Sequence, residues 1–511
     1  MYLNQLMNDK IKLTNILNWL NMTNHENIYT FTELVNILKN ISTEPVSLSY
    51  ITEFQSSNIT DISQSNFSHI NLSNTIYFSH MFRDCRNLTN IDSSWFDTSN
   101  VVALDNLFWR CNNITALDVS NWNTCKVVNF HNIFYNCKKV QDLDVSNWNT
   151  LNAQDLGGMF AGCENLTTLN ISNFNVSNVT DLSYTFKNIK NINSLKIQNW
   201  NTCNVTNMQS TFEYCTNMIS INVQNWNTSK VQDMSSLFYH DTNLTSINLT
   251  NWNVSNVINM PEMFSVCNNL TTLNLCTWNV YKLQNAANLF DSCYRLTSLD
   301  ISTWNVQNVQ NMAGMFDGCN NLSSINISNF DLKNAYNFYG MFNDCTNINN
   351  LDLSSWNTSN LLTISNMFYN CLKLSNIDIS NWNVARATSA YNMFYNCSNL
   401  SNIDISNWNT CNLKYIQGFF NKCTNLNNID ISSWNTCKVT NIGSMFGYCN
   451  NLSNNSLQNI AKMCLNAVNV TYKNLSNTNK YSPIYNTDKQ MNTATIGSTL
   501  VSQLTNAGWT F

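Results

Sequence analysis

Hydrophobic and polar positions repeat every 26 residues from about residue 58 to residue 455. The unit reads Phe-x-x-Cys-x-x-Leu-x-x-Leu-x-Ile-x-x-Trp, and residues 160–174 are one copy of it. The Phe recurs 15 times without an insertion, from Phe82 to Phe446. A second aromatic row runs from residue 122 to residue 434 and contains 11 Trp, while Trp95 takes this place in the first copy, one residue early. Spacing as strict as this predicts a stack of nearly identical coils.

Each unit contains two patterns that predict local structure. Leu169 and Ile171 alternate with polar residues, which predicts a short, half-buried strand. Apolar residues at three- and four-residue spacing, as at Val205, Met208 and Phe212, predict a short helical or 3₁₀ turn. A coil of 26 residues cannot bury its own core, so neighbouring coils must stack, with parallel strands about 4.8 Å apart. The predicted fold class is therefore an α/β solenoid.

Stacking predicts which side chains form the core. The aromatic and thiol positions of the repeat recur at the same place in each coil, and identical residues then pack on one another. The core residues predicted on this basis are Phe82, Phe134, Phe160, Phe316, Phe368, Phe394, Trp122, Trp148, Trp304, Trp382, Trp408, Cys137, Cys319, Cys371 and Cys397.

The two ends depart from the repeat. Residues 1–57 contain helical patterns, notably at 31–41, and are predicted to form an N-terminal helical cap before the solenoid of residues 58–455. Residues 456–511 are predicted to form a C-terminal helical cap and tail. There, Ser456 is expected to cap a helix that turns Leu457, Ile460, Cys464 and Leu465 inward, and one more helix is expected near the end of the chain.

Composition excludes several classes of protein. Only 11% of the 511 residues are charged, the net charge is −5, and no block of Lys and Arg would neutralise a phosphate backbone, so a nucleic-acid partner is not expected. No window approaches 18 consecutive apolar residues, which argues against membrane insertion. The N-terminal residues do not resemble a signal peptide and contain no lipid-accepting Cys. We expect a monomeric protein.

Cysteine is frequent and regularly placed. Of the 19 Cys, 13 follow the repeat Phe by three residues, which allows a ladder of disulfides or metal ions. Ile189 and Asp241 interrupt that ladder and leave Cys215 without a Cys in either neighbouring coil. Buried free thiols are therefore the preferred interpretation, because unpaired Cys is among the most buried residue types. No metal site and no cofactor are predicted.

Asn and His are the other polar residues that could take part in binding or catalysis. Asn follows the aromatic in most coils, as at Asn123, Asn149 and Asn175, and is predicted to form a ladder of amides between coils. The five His occupy no repeated position and lie near no evident set of nucleophile and carboxylate. A regular core also offers no deep pocket. We therefore predict no catalytic residues and no enzymatic activity.

A polar, mildly acidic row is predicted on the strand face, four residues before the aromatic. Simple solvation explains such a row, but solenoids also often present an extended binding surface. The candidate binding residues are Asp118, Asp144, Asp300, Asp352, Asp378, Asp404 and Asp430.

The repeat resembles a known family. Residues 315–330, MFDGCNNLSSINISNF, and residues 393–409, MFYNCSNLSNIDISNWN, are similar to BspA-like leucine-rich repeats and to the 26-residue repeat of mycoplasma lipoproteins and bacterial surface proteins. The resemblance implies a right-handed leucine-rich-repeat solenoid of about 15 coils, with a role in surface adhesion or host interaction. It carries over no catalytic residues.

Three functional hypotheses follow. The first is a non-enzymatic adhesion protein on a cell or virus surface, which binds a host protein or glycan along the solenoid. The second is a phage virion or accessory protein. The third is an intracellular scaffold or effector, which reduced Cys would suit. A binding protein is favoured over an enzyme because the sequence repeats one pattern and builds no distinct site.

Overall fold

Short parallel strands stack along the chain in a computed structural model that describes residues 60–62, 75–94 and 96–511. The strands are β1 (Asp61–Ile62), β2 (Asn90–Ile91), β3 (Ala116–Leu117), β4 (Thr272–Asn274), β5 (Ser298–Asp300), β6 (Asn350–Leu351) and β7 (Asn376–Ile377). They form three parallel sheets, in the orders β1-β2-β3, β4-β5 and β6-β7. Predictions for residues 1–59 lie outside the described residues.

The pairing register equals the sequence repeat. Leu273 of β4 pairs with Leu299 of β5, 26 residues later. A second ladder of parallel bridges runs through the turn side of the coils, from Tyr77 paired with Ala103 to Tyr415 paired with Asn441. The coils therefore stack in register on two sides, which confirms the predicted solenoid and agrees with the uninterrupted 26-residue spacing of the repeats.

The core consists of stacked aromatic rings. The ring of Phe316 lies 5.8 Å from that of Phe290 and 5.2 Å from that of Phe342. The residues predicted for the core are all buried, with at most 4% of the surface exposed. In the first copy the row is continued by Phe96, whose ring lies 5.5 Å from that of Trp122. The assignment of this place to Trp95 is therefore wrong, and Trp95 itself lies outside the described residues.

The segment around each repeat Phe is a series of tight turns, so the predicted helical turn is wrong. His80 and Asp84 both have positive φ, at 64° and 59°, and the positions two before and two after the Phe have positive φ at all 15 repeats. A right-handed helix cannot continue through such residues. Alternate amides instead bond the next coil, as when Phe82 N donates to the Leu107 carbonyl at 2.9 Å.

The 13 thiols of the repeat are buried, and all 19 Cys are free. Cys111 donates its thiol hydrogen to the Phe82 carbonyl of the preceding coil, with 3.0 Å between sulfur and oxygen. The same bond recurs at Cys137 and Cys163. The interpretation as buried free thiols is confirmed, and a thiol-to-carbonyl bond gives each of these sulfurs a polar partner.

The predicted ladder of Asn123, Asn149 and Asn175 does not form between coils. Each of these side chains instead accepts from a backbone amide two residues later, as when Asn149 Oδ1 accepts from Leu151 N at 3.0 Å. The inter-coil bonds belong to Thr124, whose hydroxyl donates to the Asn149 carbonyl at 3.0 Å. A short acceptor side chain two residues before a backbone N–H donor closes a local turn more easily than it reaches another coil.

Three helices follow the last coil. They are α1 (Asn454–Leu465), α2 (Thr493–Ile496) and α3 (Ser498–Asn506). The N-cap of α1 is Ser453, whose hydroxyl accepts from Ser456 N, so the assignment of the cap to Ser456 is wrong. Ser456 lies inside the helix, where its hydroxyl accepts from Ile429 N at 3.0 Å and donates to the Asn427 carbonyl at 2.8 Å. The helix thereby satisfies backbone groups that another coil would otherwise bond.

The expected closing helix is present as α3. Within the described part of the chain, no helix has the length and apolar character needed to cross a membrane.

Candidate ligand-binding face

The seven candidate Asp side chains, here called the acid row, lie exposed beside the strands. In each of them Oδ1 accepts two hydrogen bonds from the Ser two residues later. At Asp378 the acceptor oxygen lies 3.1 Å from Ser380 N and 2.8 Å from Ser380 Oγ. These bonds fix the carboxylate and direct it away from the core.

Hydrogen bonds favour the charged form of three members of the acid row. The Ser hydroxyl, and then the Ser backbone amide, lower the pKa of Asp144, Asp352 and Asp404 by bonding the charged form. Because these bonds use Oδ1, a ligand that donates hydrogen bonds could reach Oδ2. The row thus offers charged acceptors at a repeat distance of about 4.8 Å, the spacing of neighbouring strands.

Four members of the row share one groove of about 900 Å³. The floor of the groove is a row of apolar residues that lies between an exposed Asn row and the acid row. These residues are Leu351, Ile377, Ile403 and Ile429. Asn455, the second residue of α1, lines the end of the groove. The two flanking rows are Asn350, Asn376, Asn402 and Asn428 on one side, and Asp352, Asp378, Asp404 and Asp430 on the other.

The structure therefore divides the candidate residues. Asp118, Asp144 and Asp300 occupy the same register but do not line the groove. Sequence reasoning missed the Asn row, although a signal was available, because Asn recurs two residues before each groove Asp. An amide both donates and accepts hydrogen bonds, so the two rows together can bind a chain of mixed donors and acceptors.

His80 and His131 have carboxylate neighbours that the sequence did not reveal. His131 Nδ1 lies 3.2 Å from Asp155 Oδ1, and His80 Nε2 lies 3.4 Å from Asp105 Oδ2. No His was expected near a set of nucleophile and carboxylate, and these contacts supply a carboxylate alone. In the described residues neither imidazole bonds a hydroxyl or thiol, so neither pair has the nucleophile that a triad needs.

Across residues 60–62, 75–94 and 96–511, no three His, Cys, Asp or Glu side chains are placed to hold a metal ion.

Comparison with known proteins identifies the repeat. The profile of a family described as "Mycoplasma protein of unknown function, DUF285" matches residues 47–166, 139–220, 215–298, 288–403 and 375–484. No curated protein sequence matches the chain. The matched segments together include most of the coils and all but the ends of the chain.

Three solved structures are similar to the chain. A leucine-rich cell surface protein from Faecalibacterium prausnitzii shares 14% identity at a TM-score of 0.32, over 63% of this chain and 74% of that one. A leucine-rich repeat protein from Bacteroides ovatus shares 14% identity at a TM-score of 0.30, over 68% and 82%. A leucine-rich repeat protein from Leptospira interrogans shares 13% identity at a TM-score of 0.23, over 79% and 87%.

Proposed function

The chain belongs to the DUF285 family of Mycoplasma-type repeat proteins, and from that membership we propose that it is a surface-displayed, non-enzymatic interaction protein. Its leucine-rich-repeat solenoid is a scaffold for protein interaction. The proposed ligand is a host protein or glycan, which binds along the strand face and makes the protein an adhesin.

One observation carries the proposal. Asp352, Asp378, Asp404 and Asp430 line a single groove in four consecutive coils, and each is exposed. A side chain needed only for solubility could vary from coil to coil, whereas these four carboxylates repeat beside a row of amides. An extended ligand could therefore bond several coils at once, which is the way in which solenoids gain affinity.

The proposed function assumes one architecture for the whole chain. It assumes a right-handed stack of about 15 coils over residues 58–455, closed by caps in residues 1–57 and 456–511. It also assumes a monomer, because in that architecture each coil would have a neighbour on both sides or a cap, and the strand face would remain open to a ligand.

Surface display is tested by antibody labelling of cells or particles that produce the chain. Labelling of intact material is the expected result. Labelling only after permeabilisation would reject display and redirect the search to intracellular partners.

Ligand binding is tested with the purified, fluorescently labelled chain on cultured epithelial cells. We expect saturable binding that unlabelled chain displaces. Loss of binding after glycosidase treatment of the cells would identify a glycan ligand, and loss after protease treatment alone would identify a protein. Binding that neither saturates nor is displaced would contradict the proposed function.

A further inference from the structure

Two arginines share one aromatic ring in the turn segments of the first coils. The guanidinium carbon of Arg83 lies 4.4 Å from the centre of the Trp109 ring, and that of Arg110 lies 4.0 Å from it. On the same ring, Tyr135 stacks at 5.9 Å. Cation–π contact favours each guanidinium, and it brings two positive charges to the same ring.

The carboxylates nearby have other partners. Asp84 Oδ1 lies 3.0 Å from Arg86 Nη2, and Asp105 Oδ2 lies 3.4 Å from His80 Nε2. Among the described residues, no carboxylate oxygen lies within 4.0 Å of the guanidinium nitrogens of Arg83 or Arg110. The repulsion between these two cations is therefore not relieved by a direct ion pair in the described chain.

Hydrogen-bond donors at this position are also incompletely used. Arg83 Nε is buried and has no hydrogen-bond partner. An arginine carries five N–H donors in a planar fork, and this fork matches the oxygens of carboxylate, sulfate or phosphate. Arg83 Nη1 lies 3.4 Å from His80 Nδ1. Two guanidinium groups on one ring without an ion pair in the described chain, one of them with an unused Nε donor, are what an oxyanion would stabilise.

The contacts on the Trp109 ring argue against single-stranded nucleic acid as the anionic ligand. Single-stranded nucleic acid binds such surfaces largely by stacking bases on exposed aromatic faces. Two guanidinium groups and Tyr135 already contact Trp109, so its faces are not open to a base. The edges of the guanidinium groups are what remains for a ligand.

We propose that Arg83 and Arg110, held together on the Trp109 ring, bind an oxyanion. The source is either a free sulfate or phosphate ion or the sulfate groups of a sulfated polysaccharide. This arginine site shares no residue with the acid-row groove, so it goes beyond the adhesion proposed above and can fail or succeed independently of it.

The experiment is titration calorimetry of the full chain with inorganic sulfate, with heparin as a sulfated polysaccharide, and with dextran as an uncharged control. The test variant is Arg83→Gln/Arg110→Gln. The matched control is Arg295→Gln/Arg386→Gln, which removes the same charge from two exposed positions elsewhere in the stack. Losing two charged forks should weaken binding by at least about tenfold in the test variant, while the control variant binds like the wild type.

Each outcome of the titrations either supports or rejects the oxyanion site. Binding of sulfate with no tighter binding of heparin assigns the site to a free ion, and tighter binding of heparin assigns it to a polysaccharide. Equal binding by the test variant and the wild type would overturn the site, as would a wild type that binds neither probe. If the glutamine variant does not fold, Arg83→Lys/Arg110→Lys keeps both charges without the fork, and unchanged affinity in that variant would also refute it.

Discussion

The backbone amide of Cys215 donates a hydrogen bond to Oδ1 of Asp241 at 2.8 Å, in the middle of the thiol row. Asp241 takes the place of a repeat Cys and is 1% exposed. Burial raises the pKa of its carboxyl well above the ordinary value, and the charge of Glu213 adds to the effect. Burial therefore favours the neutral, protonated form of this side chain.

We predict that Asp241→Asn stabilises the protein at neutral pH. A raised folded-state pKa means that the folded chain retains this proton after the unfolded chain has released it. Stability consequently falls as pH rises above the ordinary carboxyl pKa of 3.8, until the folded-state pKa is reached. The amide can still accept from Cys215 and does not titrate.

Thermal unfolding at pH 4 and pH 7 checks this prediction. The midpoint of Asp241→Asn should exceed that of the wild type by more at pH 7 than at pH 4. Asp378→Asn, an exposed member of the acid row, is the control and should not gain stability in this way. An advantage of Asp241→Asn that is the same at both pH values would show that Asp241 is not buried as a neutral acid.

Val266 has a φ of 62°, a backbone conformation that β-branched residues rarely adopt. At the equivalent position Asn136 has a φ of 58°, and Asn tolerates this conformation. We predict that Val266→Asn stabilises the protein by about 1 kcal/mol, the lower end of the cost of left-handed backbone. The reciprocal variant Asn136→Val should destabilise it by a similar amount. Chemical denaturation of both variants measures the change, and shifts of the same sign would refute the explanation.

Removal of a stacked ring should be costly. Phe316→Ala deletes a fully buried side chain between two other Phe rings and should cost about 3–5 kcal/mol of unfolding free energy. Asp378→Asn changes an exposed residue and should stay within about 0.5 kcal/mol. Similar unfolding midpoints for the two variants would contradict the stacked core.

Exposed cysteines should react with alkylating reagents faster than buried ones. Five are partly exposed, namely Cys125, Cys203, Cys276, Cys411 and Cys437. Burial excludes reagent from the others and raises the pKa of most of them, including Cys293 and Cys319. Native alkylation at pH 8 followed by mass spectrometry should modify those five first, and denaturation should release all 19. Rapid native alkylation of Cys319 would contradict the packing.

The sequence was sufficient for the stack and its core. The 26-residue period fixed the parallel register, because a row such as Phe290, Phe316 and Phe342 can bury its rings only on identical neighbours. The acid row could be located as exposed for a related reason, since strand residues alternate between the two faces.

The turn segment and the groove could not be predicted in the same way. Spacing of three and four residues is shared by a helix and by successive tight turns, and periodicity alone does not separate them. The frequent Asn and Gly two residues from the repeat Phe, such as Gly158 and Gly162, were the available signal. Four of the seven candidate Asp line one groove because of the relative positions of the coils. No local pattern encodes these positions.

The groove is the proposed site of ligand binding. The decisive measurement compares cell binding by two variants of the labelled chain, one with Asn at the four groove positions Asp352, Asp378, Asp404 and Asp430, and one with Asn at Asp118, Asp144 and Asp300 outside it. Asn should preserve the fold, because Asn170 already occupies this position and accepts from Ser172. We predict at least about tenfold weaker binding by the groove variant, since it loses four charged acceptors, and near wild-type binding by the other. Equal binding by both variants would contradict the claim that the groove binds the ligand.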